Sequence, residues 1–425
     1  MNRYQRSHIT VSQATARRGV ITPLAAIVLL VVMAGVALIV NRLWLDAASL
    51  EVTTCVETAV LAAGHELAAD ELLKEKPDYN ILMDRAEKAA NNAITLNTVA
   101  GQRIGVPLTK GNNLLFGKSV PVADTGLKRF LQTDHEPMSV QVKTHHAGRL
   151  NNPVADFMSD LTDTDLGTTR AQIEATIDNH IIGIRPFENV SVPAFPLAIL
   201  KNDPSGKHTE TWELQIDQKK GKDEYQFNPE TRTVSQGSDG IPEIQLTGKP
   251  RRGDISDANL QILNFGSRHN SEIIVRQILS GLSRQDLKSY HGELLFNAGP
   301  LQVHCSPEIE DDEQDAFQKM IGQCRICFLY DKVETSSKSY SGTADCTNMV
   351  AGRIMSIKRL ENQACEIILQ PGVLTSRAVI LAEAIPSESE NYSDQKPENA
   401  ADNKNTTDNS QERKNKYIYK LYLTQ

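Results

Sequence analysis

The stretch VITPLAAIVLLVVMAGVALIV, residues 20–40, carries no charged side chain and follows directly on Arg17, Arg18 and Gly19. A helix rises about 1.5 Å per residue, so this run spans roughly 30 Å, the thickness of a bilayer's hydrocarbon core. Pro23 falls in the first helical turn, where its missing N–H would have no intrahelical partner. Arg3, Arg6, Arg17 and Arg18 precede the run with no acidic residue among them, whereas Asp46, Glu51 and Glu57 follow it. The positive-inside rule then places the N-terminal arm in the cytoplasm and the remainder of the chain outside. A cleaved secretory signal is the alternative, with Asp46-Ala47-Ala48-Ser49 as a peptidase site. An apolar run this long exceeds the usual signal core of about 7–15 residues, and a retained anchor is the expectation.

The helical pattern continues past the apolar run, with no proline before Pro77. Leu45, Ala48, Val52, Val56, Ala59 and Ala63 recur at spacings of three and four, while Asp46, Glu51, Glu57 and Glu66 lie mostly off that stripe. One continuous helix over residues 20–73 would reach roughly 80 Å, with Trp44 at the headgroup level. Its apolar stripe needs a covering surface, either the protein's own exported part or another helix. If the partner is another helix, Leu45, Val52, Val56, Ala59 and Ala63 form the pairing interface.

The block Arg17-Arg18-Gly19-Val20, the apolar span, Leu45-Asp46-Ala47-Ala48-Ser49-Leu50 and the following Thr58–Leu67 segment resemble the N-terminal segment of TadG-like proteins of Flp pilus assembly. Ala89-Ala90-Asn91-Asn92, Leu114-Leu115-Phe116-Gly117 and Gly183-Ile184-Arg185-Pro186 are similar to later stretches of the same family. The resemblance implies a single-pass inner-membrane protein with a periplasmic bulk. Such a protein acts as a noncatalytic scaffold, without cofactor, that contacts other pilus-assembly or envelope proteins. Two departures narrow it. A pilin-type cut after Gly19 would place Leu24, not glutamate, at the fifth mature position, which argues against processing and packing into a pilus fibre; a minor pseudopilin is kept as a rival despite Leu24. The metal pattern D-x-S-x-S found in some relatives is incomplete at Asp254-Ile255-Ser256-Asp257-Ala258.

The net charge of −8 becomes about −12 without the four arginines of the arm, which argues against broad nucleic-acid binding. The basic runs Lys219-Lys220-Gly221-Lys222 and Lys249-Pro250-Arg251-Arg252 read as solvated turns. The expected fold is α+β: a transmembrane helix extended into a stem, then a mostly β exported domain with a few helices. In order, the segments are a basic arm (1–19), the span (20–40), stem and return helix (41–100), a first β-rich region (101–200), a second with helices (201–385), a disordered polar insertion (386–416) and a terminal strand (417–425).

Within the exported part, residues 79–96 read as a second helix. Residues 139–143, 171–177 and 211–216 alternate as strands with one buried face. A helix capped by Asn270 or Ser271 carries Ile274, Ile278, Leu279 and Leu282 on one face, and residues 283–287 read as a short following helix. Another helix starts near Glu308, with Asp311, Asp312 and Glu313 favouring its N-terminal end, and stops at Gly322. Strands return over residues 324–333, 349–360, 366–369 and 376–384.

Little of this pattern carries chemistry. Cys324-Arg325-Ile326-Cys327 has C-x-x-C spacing but begins an apparent strand, where residues three apart face opposite sides. Together with Cys55, Cys305, Cys346 and Cys365, these read as structural thiols or one or two disulfides. Asp163-Thr164-Asp165 with Glu174 half-mimics a calcium loop but has Thr168 where the turn glycine belongs. No G-x-S-x-G, phosphate loop or H-E-x-x-H occurs. An anchored ligand-binding or hydrolytic domain is the remaining alternative.

Overall fold

The computed structural model describes residues 21–99, 102–103, 107–122, 127–146, 169–248, 258–266, 270–335, 341–361, 364–382 and 414–424. The basic arm, the Asp163 loop, most of the Asp254 pattern and most of the polar insertion lie outside them. The chain is an α+β protein in which a long N-terminal helix leads into a mostly β body.

Helix α1, Ile21–Leu67, runs unbroken for 47 residues. Its first part is exposed along its length, and it is long and apolar enough to cross a membrane, with a mean hydropathy of 2.9 and nothing buried over the most apolar window. From Ala48 onward one face sinks into the body. The α-helix ends at Leu67 rather than at residue 73; a tight single turn, Asp70–Leu73, completes the stem. Pro77 then redirects the chain, and the Asp78 side chain accepts from the Asn80 N–H to cap α2, Tyr79–Leu96. This helix folds back beside α1, burying Leu82, Met83, Ala86, Ala90, Ala93 and Ile94, and Arg85 reaches Glu66 at 2.7 Å.

The stem rests on an antiparallel sheet built from β1 (Leu114–Pro121), β2 (Lys128–Gln132), β3 (Ser139–His146) and β4 (Thr169–Asp178), in spatial order β2-β1-β3-β4. Two strands from far along the chain extend it past β4: Ile418–Thr424 pairs antiparallel with β4, and Leu374–Thr375 lies outside that. Leu114, Phe116, Val140, Val142, Ala175 and Ile177 face the stem and form its core with Val52, Val56, Ala59 and Ala63. The approach is close enough that a Cβ placed on Gly64 would sit 2.7 Å from Leu421 Cδ1.

The second lobe occupies the chain between β4 and that C-terminal strand. Its strands are β5 (Ala194–Leu200), β6 (Ile244–Thr247), β7 (Leu260–Asn264), β8 (Leu301–Ser306), β9 (Cys324–Thr335), β10 (Gly342–Arg359) and β11 (Cys365–Pro371). Their pairings close on themselves. β5 pairs with β7, β7 with β8, β8 with β10 and β10 with β9, all antiparallel, and β9 returns to β5 in parallel. The 18-residue β10 makes this possible: its first half is shared between β8 and β9, and its second half pairs with β11, which in turn carries β6. Helices α3 (Ser271–Ser280) and α4 (Asp311–Gln318) cover the ring. The Asn270 side chain caps α3, and a reciprocal Glu310–Glu313 capping box starts α4. Gly281 ends α3 at φ +82, where any Cβ would overlap the Val192 carbonyl oxygen.

Three sequence expectations are corrected. Residues 211–216 do not form a strand; Glu213–Asp217 is a helical turn that buries Trp212, Gln215 and Ile216 together, a spacing that fits a helical turn. Residues 283–287 form no helix: Asp286 gathers the Ser283 N–H and hydroxyl, Gln277 and Arg276 into a tight turn before a short helical turn at Lys288–Tyr290. The division at residue 200 also moves, because β5 belongs to the second lobe's ring.

Candidate functional site

The five residues proposed for helix pairing are placed inside the protein's own core. Val52 is 1 % exposed, Val56, Ala59 and Ala63 are fully buried, and Leu45 packs at the edge of the same cluster. Their partners are α2 and the six-stranded sheet of the same chain. As a surface for a separate helix this stripe is already occupied, because the sheet supplies the apolar cover that an amphipathic stem requires.

The two lobes are joined through Asp70, at the end of the stem. Asp70 Oδ2 pairs with Arg353 Nη1 at 2.7 Å, and its Oδ1 accepts the Val373 N–H at 2.7 Å. Arg353, on β10, also donates from Nε to the Gly322 carbonyl and lies 3.7 Å from the Phe227 ring centroid. The Arg353 side chain is 6 % exposed and that of Asp70 25 %, so the charge of the arginine is largely withdrawn from water against a half-buried carboxylate.

Beside this joint opens a cleft of about 610 Å³, contributed to by both lobes. Its walls come from the Leu72–Lys74 turn, the start of α2, the ends of β1 and β4, the Ile216–Lys219 turn and the segment that leads into the C-terminal strand. Asn415 fixes that segment. It donates N–H to Asn179 O and Nδ2 to Met349 O, and its Oδ1 accepts from the Tyr417 and Ile418 N–H groups.

The polar groups of the cleft fall into small bonded sets. Asp178 Oδ1 lies 2.7 Å from His180 Nδ1, its Oδ2 accepts from the Tyr422 hydroxyl at 3.4 Å, and Lys128 donates to that hydroxyl at 2.9 Å. Tyr417 donates to Asp217 at 3.0 Å and accepts from Trp212 Nε1 at 3.3 Å. Glu136 takes Lys118 at 3.3 Å and the Tyr79 hydroxyl at 3.5 Å. Burial pushes the Tyr419 phenol up to about 12, and Tyr417 is raised by burial and by Asp217 beside it, so both rings stay neutral. Lysines 74, 118, 128, 219, 414 and 416 line the cleft against Glu136, Asp178 and Asp217. Among the described residues, Lys219, Lys414 and Lys416 make no ion pair.

The six cysteines are all free thiols. Cys324 and Cys327 open β9, and burial raises Cys324 to about 12, with Cys327 raised further. Burial likewise raises Cys305 to about 12 and Cys365 to about 11, so these sulfurs are poor nucleophiles at neutral pH. Among the described residues no group of three His, Cys, Asp or Glu side chains is arranged to hold a metal ion.

Sequence reasoning missed the cleft. Its lysines come from five separate segments, and the run at Lys219 read as a solvated turn although Lys219 lines the cleft. The one local signal was the Lys414-Asn415-Lys416-Tyr417 transition out of the polar insertion. No family model, curated protein or solved structure matches this chain.

Proposed function

We propose that this chain is a single-pass, noncatalytic protein of the bacterial envelope, anchored in the inner membrane with its two-lobed body in the periplasm. The observation that carries the reading is the continuity of α1: the exposed apolar part and the buried stripe belong to one unbroken helix. Movement of the anchor is therefore transmitted to the body without a hinge, which suits a scaffold. The bonded sets in the cleft support action by contact rather than turnover, since each carboxylate there already serves a neighbouring side chain. The likeness of residues 17–73 to TadG-like proteins makes Flp pilus assembly the process served, with other pilus-assembly or envelope proteins as partners.

The test is protease treatment of spheroplasts from the native cell, combined with pull-down of the full chain. Full-length protein in the inner membrane, trimmed to a basic stub by external protease and co-purifying with pilus-assembly proteins, is the expected result. A soluble product beginning near Ala48 overturns the anchor; a membrane protein that brings down no pilus component overturns the pilus assignment. A mature N-terminus at Val20 would make the chain a pseudopilin instead.

A further inference from the structure

We propose that the cleft between the lobes binds an acidic oligosaccharide. The assignment concerns the cleft alone and stands apart from the anchor and the pilus reading. A cavity of about 610 Å³ falls within the range of small-ligand sites, which favour junctions between structural units.

The charge arrangement selects an anion. The three carboxylates that line the cleft among the described residues are engaged within the protein: Glu136 by Lys118 and Tyr79, Asp178 by His180 and Tyr422, and Asp217 by Tyr417. Four of the lysines, Lys128, Lys219, Lys414 and Lys416, by contrast have no carboxylate within ion-pair range among the described residues, and Lys128 is held by the Tyr422 hydroxyl. Lys414 and Lys416 flank Asn415, whose four hydrogen bonds hold the backbone between them in place. Among the described residues the positive surplus is thus presented on a fixed frame.

The lining chemistry selects a sugar among anions. Tyr79 and Tyr422, both half-buried, supply ring surface beside the ammonium groups, while Tyr417 and Tyr419 are buried behind them. A pyranose ring has an apolar C–H face that packs on such a ring and a rim of hydroxyls that bond to phenols and carboxylates; an aromatic side chain with a polar tip meets both demands. Among the described residues, no arginine lines the cleft. Arginine would add bidentate geometry toward a carboxylate or a phosphate, whereas lysine acts as a point charge.

The proposal is tested on the full chain in detergent or nanodiscs by calorimetric titration with a hexamer of galacturonic acid, maltohexaose and hexaglutamate. Saturable, salt-sensitive binding of the hexauronate is expected, at least tenfold tighter than either of the others. The triple variant K219A/K414A/K416A, whose replaced side chains are exposed, should melt as the parent does and lose at least tenfold in affinity. Tyr422→Phe, which keeps the ring and removes the hydroxyl that Lys128 and Asp178 share, should lose several-fold. Absence of hexauronate binding overturns the proposal. Equal binding of hexaglutamate overturns the sugar assignment, and unchanged binding by the triple variant overturns the location.

Discussion

The two lobes reach the same dryness by opposite means. The core under the stem is richer in small residues: among the described residues, nine of its 26 buried members are alanine against six of 46 in the ring lobe, and Ala48, Ala59, Ala63, Ala86, Ala90 and Ala175 let helices and sheet approach closely. The ring lobe is filled by bulk, with Phe195, Phe265, Phe317, Phe328 and Trp212 at its centre and Phe195 edge-on to Phe317 at 5.6 Å. A core made by close approach should suffer most from what is added to it, and one made by volume from what is removed.

The largest expected effect is Val56→Asp. It puts a carboxylate at a fully buried position of the small-residue core, a loss of more than about 4 kcal/mol that should abolish the protease-resistant body. Retention of a cooperative melt would show the stem to be less enclosed than described. Next comes Phe317→Ala in the ring lobe, expected to cost about 3–5 kcal/mol in denaturant unfolding. A cost below 1 kcal/mol would remove the contrast. Asp70→Ala leaves Arg353 buried without its carboxylate and should cost about 3 kcal/mol, splitting one unfolding transition into two if the joint couples the lobes. Ala63→Leu, an enlargement that a loosely packed core would welcome, should instead destabilise by about 1–3 kcal/mol.

The smallest effect is a slope with pH. Glu243 is buried, and burial raises its carboxyl from 4.5 to about 7, helped by Asp223 and Asp239 and opposed by the N–H groups of Glu224 and Tyr225. The folded protein therefore holds a proton that the unfolded chain has already lost. The stabilisation from this group is complete below about pH 4.5 and disappears as pH rises to about 7, a fall of roughly 1–3 kcal/mol. Glu243→Gln should flatten that slope; an unchanged slope would assign it to other groups.

The stem, α2 and α3 were legible in the sequence because each carries a sustained helical period and an explicit boundary signal: Pro77 with Asp78, and Asn270. Residues 211–216 misled because Trp212, Gln215 and Ile216 fit one face of a helical turn, while the chain around them also alternates. Ring closure was illegible for a different reason. The parallel β5–β9 contact joins residues more than a hundred positions apart, and nothing local encodes that register. The cleft shares this fate, since its lysines and tyrosines are ordinary surface residues until the C-terminal strand returns to β4. The stripe was read correctly as apolar, but its cover lay in residues whose return no pattern announced.

The hydrogen bond from Tyr422 to Asp178 spans 244 positions in the chain. Synthesis at about 5–20 residues per second delivers that stretch in on the order of 10–50 s. Throughout that interval the stem has its own helix partner and early strands but lacks the strand that lies against Gly64, so the lobe nearest the anchor is the last to be sealed. The sheet under the stem is thus completed by a strand made more than two hundred residues later, and the edge of β4 stays unpaired in the interval.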